Sequence, residues 1–271
     1  MTKITRITTQ KKNKNRFNVF LDRGHGDTYG FSVSEDILVK EQLRKGMELD
    51  DAAIASLVKQ DDVHKSFTLA INYLSYRMRS EKEIRDYLEK KEADPEQISE
   101  VVARLRKESL LDDQEFANSL VRTRIETSSK GPLLVKKELI EKGVDAAKAD
   151  TALGHYPFDK QYEKALKFAE KKIRSDGRKS FKQQVQAVQQ TLMQKGFTGD
   201  VVQEVLANLP EGHEEKDEWE AVVYQGEKVL RKYETKAEGV QLKHKIKGAL
   251  YRKGFNYDLI EQFLDEFVEE P

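Results

Sequence analysis

The side chains that most often carry out catalysis are scattered along this chain. There is no cysteine, which excludes thiolate catalysis, disulfides and cysteine-ligated zinc. No two histidines have the spacing of three or four residues that would place two ligands on one helix face; they are His25, His64, His155, His213 and His244. Carboxylates are numerous, but they fall on predicted helix surfaces without a pairing pattern. We therefore predict no catalytic residue and no metal site.

A glycine-rich stretch near the N terminus has the composition of a nucleotide-binding loop but not its spacing. Gly24, Gly26 and Gly30 do not match the GxGxxG pattern, and they do not lie between a strand and a long helix. A hairpin turn accounts for them better. The sequence contains no P-loop or nucleophile-elbow pattern either. We predict no cofactor and no enzymatic activity.

The charged residues are the remaining feature of the sequence that could serve binding. Lys plus Arg and Asp plus Glu both number 48, yet the charges are unevenly distributed. Residues 157–209 carry 10 basic and 6 acidic side chains, whereas residues 210–271 carry 10 and 15. A basic stretch followed by an acidic one suggests a polar partner met over a long surface, although simple solubility explains such runs as well.

Basic residues recur at matched places on the predicted helices. Ala70, Ala117, Ala165 and Ala221 are each followed seven residues later by a basic residue, and these are Arg77, Arg124, Lys172 and Lys228. A row on one predicted helix comprises Lys160, Lys164, Lys167 and Lys171. Such a row could track phosphates or acidic side chains, or it could be a solvated face.

The first 62 residues have a pattern unlike the rest. Alternating apolar residues at 17–21 and 29–33 flank the glycine-rich turn, which predicts a β-hairpin. Ile4 and Ile7 could supply a third strand. Ser34 can cap a short helix that runs to Leu43. We predict a second short helix over residues 50–59.

From residue 64 onward the pattern is helical and repeated. A Lys-Gly pair ends one helix of each of three segments, at 142–143, 195–196 and 253–254, and a second amphipathic helix follows it. An earlier segment aligns with these but has Glu92 in place of the glycine. A longer helix precedes each pair, at 64–78, 113–126, 159–174 and 217–233. The predicted unit is therefore three helices, present four times.

These patterns predict an all-α chain of tandem three-helix repeats in an elongated, curved array, with a small N-terminal β-hairpin/α extension. The predicted domains are residues 1–62 for the extension, then repeats at 63–110, 111–156, 157–210 and 211–271. No stretch approaches 18 apolar residues, and residues 1–15 contain no apolar core, so we expect no membrane or secreted location. The expected location is cytoplasmic, and the expected state is a monomer.

Three segments resemble the signature of the RecX regulatory proteins. They are residues 70–88 (AINYLSYRMRSEKEIRDYL), 110–117 (LLDDQEFA) and 130–143 (KGPLLVKKELIEKG). Residues 1–62 are similar to the N-terminal extension of the longer members. The resemblance implies a non-enzymatic, cytoplasmic modulator of the RecA recombinase in recombination, DNA repair and the SOS response. It implies binding in the groove of the RecA–single-stranded DNA filament and restraint of ATP hydrolysis, strand exchange and co-protease activity.

The resemblance places partner contacts on basic residues of the repeat surface. The residues that we predict as contacts are Arg77, Arg79, Arg85, Arg122, Arg124, Lys136, Lys137, Lys164, Lys167 and Lys171. For Arg85, Lys136 and Lys137, ordinary ion pairing along a helix is the simpler interpretation. Two alternatives to a filament regulator stay open: a direct binder of single-stranded DNA, and a scaffold that binds only proteins. Tyr73, Tyr76 and Tyr87 are predicted mostly as core residues, which counts against a stacking platform for bases.

Overall fold

The computed structural model describes residues 1–24, 26–175, 177–209 and 215–268. His25, His213, Pro210, Pro271 and the predicted repeat boundary at 210/211 lie outside the described residues. Contacts divide the chain into two units. One comprises residues 1–116 with 142–144, and the other comprises residues 117–141 with those from 145 onward.

The first unit begins with a four-stranded antiparallel sheet. Its strands are β1 (Thr2–Thr9), β2 (Arg16–Asp22), β3 (Asp27–Ser34) and β4 (Glu48–Leu49), in the order β3-β2-β1-β4. The predicted hairpin and the third strand at Ile4 and Ile7 are confirmed. The two-residue strand β4 was not predicted, because it is too short for a period-2 pattern to be visible.

A β-bulge at Gly30 explains why the alternating pattern misplaces one tyrosine. Val19 pairs with Phe31, but Phe20 pairs with Tyr29, so Gly30 is the additional residue on β3. A Cβ on Gly30 would lie 2.4 Å from the Leu21 side chain. The shift turns Tyr29 away from the buried face, and it is 59% exposed.

The helices of the first unit differ from prediction at their ends. Helix α1 (Glu35–Lys40) is capped by Ser34 as predicted, but it ends before Leu43 because Gln42 adopts φ +50°. The two helices predicted over residues 50–59 and 64–78 are one helix, α2 (Asp51–Leu74). The predicted boundary at 62/63 therefore falls inside α2.

A buried carboxylate holds α2 against the sheet. The Asp61 side chain is 1% exposed, and it accepts hydrogen bonds from Arg16 at 2.6 Å and from the Ser34 backbone at 2.8 Å. Lys65 lies 3.0 Å away. Burial alone would raise the pKa of Asp61, but these hydrogen bonds outweigh it and hold the pKa below its usual range. Asp61 therefore ties the middle of α2 to β2 and to the start of α1.

Within the described ranges, twelve helices form the three-helix repeats. Repeat one contains α2, α3 (Glu81–Glu89) and α4 (Pro95–Lys107). Repeat two contains α5 (Asp113–Thr127), α6 (Pro132–Glu141) and α7 (Ala146–Leu153). Repeat three contains α8 (Phe158–Ser175), α9 (Phe181–Gln194) and α10 (Gly199–Ala207), and repeat four contains α11 (Glu215–Tyr233), α12 (Gly239–Arg252) and α13 (Tyr257–Phe267). The chain is thus predominantly helical after its small strand region.

Each repeat buries its predicted apolar stripes. In repeat one, Ala70 and Ile84 lie in one cluster with Leu105, and all three are fully buried. The alanines that begin the other long-helix stripes, Ala117, Ala165 and Ala221, are at most 1% exposed. Their small size lets helices approach closely. No helix among the described residues is both long and apolar enough to cross a membrane.

The Lys-Gly turns adopt the left-handed conformation that the sequence predicts. Gly143, Gly196 and Gly254 have φ between +81° and +84°. Glu92 adopts φ +62° at the matched place in repeat one. The left-handed region costs a residue with a Cβ about 1–2 kcal/mol, and repeat one sustains that cost.

The same turns are contact points between consecutive repeats. The Ser80 hydroxyl donates to the Lys142 carbonyl at 2.6 Å, the Gly131 amide donates to the Lys195 carbonyl at 2.7 Å, and the Ser180 hydroxyl donates to the Lys253 carbonyl. In each case the start of one repeat's second helix contacts the turn of the next repeat. This explains why Glu92 can stand where the other repeats have glycine. No three-helix repeat precedes repeat one, so no second helix has to approach the turn at Glu92 closely.

Candidate interaction surface

The predicted contact residues divide equally between exposed and partly buried side chains. The exposed ones are Arg77, Arg122, Lys137, Lys167 and Lys171, and the partly buried ones are Arg79, Arg85, Arg124, Lys136 and Lys164. Three of the ten lie in the first unit and seven in the second. Their hydrogen bonds and ion pairs show which of them also stabilise the fold.

Arg77 is held by the acidic residue of a capping box. Its guanidinium donates to both carboxylate oxygens of Glu83, at 2.9 and 3.2 Å. Glu83 also accepts from the Ser80 amide at 3.2 Å and from Lys142 at 3.0 Å. Burial would raise the pKa of Glu83, but these donors outweigh it and lower the pKa to about 2. Arg77 is therefore partly neutralised, although its side chain is 47% exposed.

Arg79 and Arg85 pack against their own repeat. The Arg79 guanidinium lies 3.8 Å from the centre of the Tyr73 ring, and that ring stacks on Tyr87 at 4.1 Å. The buried Nε of Arg79 has no hydrogen-bond partner among the residues that the structure describes. Arg85 pairs with Glu81 at 2.8 Å, one helical turn earlier, as the simpler interpretation of this residue expected.

The loop before α3 exposes one of the tyrosines that were predicted mostly as core residues. Tyr73 and Tyr87 are partly buried against the repeat, but Tyr76 is 84% exposed. That part of the prediction was wrong because α2 ends at Leu74, which leaves Tyr76 in a turn outside the helical stripe. Met78 in the same loop is 47% exposed.

Arg124 repeats the arrangement of Arg77 in the second unit. Its guanidinium donates to both oxygens of Glu138, at 2.5 and 3.0 Å, and Lys130 lies 2.7 Å from the same carboxylate. Hydrogen bonding by Arg124 outweighs the opposing effect of burial and, with Lys130, lowers the pKa of Glu138 to about 2. Arg122, two residues earlier, is exposed.

The two lysines of α6 have different environments. Lys136 pairs with Asp150 of α7 at 2.5 Å, and its side chain is 36% exposed. Lys137 is 72% exposed, and its ammonium group lies 3.9 Å from the Glu141 carboxylate. Exposed pairs of that length contribute little to stability. Lys137 is thus the member of this pair that can meet a partner.

The predicted lysine row on α8 is interrupted at Lys164. Its ammonium group donates to the Ile125 carbonyl and to the Ser128 carbonyl, the latter at 3.0 Å, at the C-terminal end of α5. Burial lowers the pKa of Lys164. Lys160 pairs with Glu163 at 3.0 Å. Lys167 and Lys171 are exposed, and no side chain that the structure describes forms an ion pair with either of them.

Glu83 and Glu138 differ in whether the local sequence indicates their role. Glu83 carries a local signal, the capping box with Ser80. Glu138 carries none, because it lies 14 residues from Arg124 and meets it only when α5 and α6 pack. Within the described residues, no group of three or more histidines or carboxylates could hold a metal ion.

Matches to family models cover the chain in the same order as its elements. Residues 2–50 match the regulatory protein RecX N-terminal domain, residues 67–105 the first RecX three-helix domain, and residues 112–153 the second. The third RecX three-helix domain matches twice, at 159–206 and at 215–264. Two copies of one domain model agree with the internal repetition of the sequence.

Whole-chain relatives and solved structures lead to the same family. Regulatory protein RecX of Oceanobacillus iheyensis is 49% identical over 271 residues, all of both chains. Regulatory protein RecX of Halalkalibacterium halodurans is 42% identical over 97% of this chain and 99% of its own. A crystal structure of regulatory protein RecX is 35% identical with a TM-score of 0.68, and covers 77% of this chain and 100% of its own. That of RecX from Lactobacillus salivarius, also 35% identical, has a TM-score of 0.54 and covers 55% and 97%. The chain belongs to the RecX family of regulatory proteins.

Proposed function

We propose that this protein is a non-enzymatic regulator that binds the RecA filament on single-stranded DNA and restrains its ATP hydrolysis, strand exchange and co-protease activity. The observation that carries the proposal is the ordered match of every domain to the RecX regulatory family. The RecA partner follows from that kinship. The proposed setting is the cytoplasm, with the protein acting as a monomer.

Exposed cations supply the proposed contact with the filament. Lys167 and Lys171 lie one turn apart on α8, which allows both to meet one run of phosphates or carboxylates. Arg122 and Lys137 are exposed as well. The partly buried members of the predicted set, such as Arg124, position the repeats, and any remaining donors can add to the contact.

A direct test is ATP hydrolysis by RecA on single-stranded DNA, with the full-length protein added at increasing substoichiometric amounts. We expect suppression well below one molecule per RecA protomer. The double variant Lys167→Glu with Lys171→Glu should need several-fold more protein for the same suppression. The matched control, Lys90→Glu with Lys107→Glu, reverses two charges on exposed side chains outside the proposed contact. No suppression by folded wild-type protein would overturn the proposal.

A second candidate, direct binding of single-stranded DNA, is favoured by one observation in repeat four. A groove between α11 and α12 is lined by cations without an acidic residue among them. Salt separates these functions, since phosphate contacts weaken linearly with the logarithm of salt concentration.

A further inference from the structure

Repeat four contains a groove of about 370 Å³ whose walls are cationic. Lys228 and Lys232 of α11 line it on one side, and Arg252 and Lys253 line it at the end of α12. Its other lining residues are Gln225, Val229, Tyr233 and Ala249. None of these eight residues is acidic. The groove lies in a segment, residues 210–271, that has five more acidic than basic side chains.

Comparison of the repeats shows why no carboxylate among the described side chains is paired with Lys228. Arg124 and Lys228 are matched basic residues, each seven positions after the buried alanine of its long helix. Glu138 neutralises Arg124 in repeat two, whereas the repeat alignment places Ala249 at the position of Glu138. In repeat three the matched residues are Lys172 and Thr191, which are hydrogen-bonded. Repeat four therefore keeps the cation and replaces its partner with a methyl group.

The replacement also creates the space. Alanine is smaller than glutamate or threonine, so the wall of α12 recedes at Ala249, a residue that lines the groove. The Lys228 ammonium group donates instead to the Tyr224 hydroxyl at 2.8 Å. That hydrogen bond, with the charge of Arg178 nearby, lowers the pKa of Tyr224. A neutral phenol does not cancel the positive charge of Lys228.

Aromatic rings border the cations. The Lys228 ammonium lies 4.2 Å from the centre of the Tyr224 ring, and the Arg178 guanidinium lies 5.0 Å from the same centre. The Lys232 ammonium lies 5.3 Å from the Tyr233 ring. A basic groove flanked by aromatic rings is the combination by which proteins bind single-stranded nucleic acid without reading its sequence.

We infer that this groove binds the phosphodiester backbone of a single-stranded nucleic acid. The cations meet consecutive phosphates, and the partly exposed rings of Tyr224 and Tyr233 beside them can contact bases. A peptide rich in Asp and Glu would use the cations but would gain nothing from the rings. The inference adds a specific site to the single-stranded DNA contact proposed above, and it rests on that proposal only for the partner class.

The test measures binding of a fluorescently labelled oligothymidylate to the full-length protein over a range of salt concentrations. Lys228→Gln with Lys232→Gln should reduce affinity about tenfold or more at 50 mM salt. The slope of log affinity against log salt should become shallower by about 1.4, since each contact with a single strand contributes about 0.7. The control Lys90→Gln with Lys107→Gln removes the same charge elsewhere and should leave both quantities unchanged.

A second pair of variants tests the same site without removing a cation. Ala249→Glu introduces the carboxylate that repeat two has at Glu138, so it should neutralise Lys228 and weaken oligonucleotide binding. Ala249→Gln has nearly the same shape without the charge and should weaken binding much less. Equal effects of the two variants would mean that space alone matters, which would overturn the electrostatic account.

Competition identifies the ligand. Free ATP and an acidic peptide of matched charge should displace the oligonucleotide only at far higher concentration than unlabelled oligothymidylate does. Displacement by either of them at similar concentration would overturn the assignment to a polynucleotide. Unchanged affinity and salt slope in the lysine variant would overturn the site itself. The same variant tested for suppression of RecA ATP hydrolysis shows separately whether the regulator proposal stands.

Discussion

The contact between repeats at the Lys-Gly turn makes a quantitative prediction for Gly196→Ala. Gly196 has φ +81°, a conformation that costs alanine about 1–2 kcal/mol. A Cβ there would also lie 2.6 Å from the backbone nitrogen of Leu134. Relieving such an overlap by shifting backbone costs about 1–3 kcal/mol. The free energy of unfolding of the second unit should therefore fall by about 2–5 kcal/mol.

Two further substitutions separate the cost of the left-handed backbone conformation from the cost of steric overlap. Gly199→Ala changes a glycine at the first position of α10 that has nothing within 4 Å and an ordinary φ. It should shift stability by less than about 1 kcal/mol. Glu92→Gly relieves the left-handed strain of repeat one but adds chain entropy to the unfolded state, so its net effect should be within about 1 kcal/mol of zero.

The free energy of unfolding of all three variants can be measured by urea unfolding, with circular dichroism as the signal. The result that refutes the reasoning is a Gly196→Ala protein whose unfolding midpoint equals that of Gly199→Ala. Close approach of the turn to the preceding helix would then not constrain the residue. A large loss of stability for Glu92→Gly would refute the explanation of why the first repeat tolerates a side chain there.

Two other predictions concern the charged groups. The folded-state pKa values of Glu83 and Glu138 are about 2, below their unfolded values, so the stability that they contribute is present above about pH 4.5 and is lost as pH falls toward 2. The midpoint of urea unfolding should therefore drop across that pH range, and the drop should be smaller in Glu138→Gln. An equal drop in the variant would contradict the assignment of the low pKa to Glu138. Lys164→Gln should lower the melting temperature because it removes the ammonium group that donates to carbonyl groups at the end of α5. Lys167→Gln changes an exposed side chain and should leave the melting temperature unchanged. Equal melting temperatures of the two variants would contradict a structural role for Lys164.

Local sequence signals predicted the repeats well because their causes are local. A Lys-Gly pair ends a helix through the backbone conformation of one residue, and apolar spacing shows which face of that helix is buried. The glycines at 143, 196 and 254 and the stripes around Ile84 and Val188 follow from such signals. The pattern also detected the hairpin, but Tyr29 was misplaced because a bulge shifts the period.

Contacts between distant residues could not be predicted from those signals. No local pattern indicates that Asp61 is buried, because its partner Arg16 lies 45 residues earlier in the chain, on β2. Likewise, Lys164 is not available as part of the predicted lysine row, because its ammonium group donates to carbonyl groups at the end of α5. For the candidate surface, the sequence therefore predicted which residues are basic but not which of them are already paired.

Recognition of the RecA filament can be measured by equilibrium binding to preformed RecA–single-stranded DNA filaments. Labelled full-length protein should bind the filaments saturably, and more tightly than it binds either RecA without DNA or the DNA alone at equal salt. Lys167→Glu with Lys171→Glu should weaken that binding, while Lys90→Glu with Lys107→Glu should not. Absence of saturable binding to active filaments by the folded protein would contradict the account.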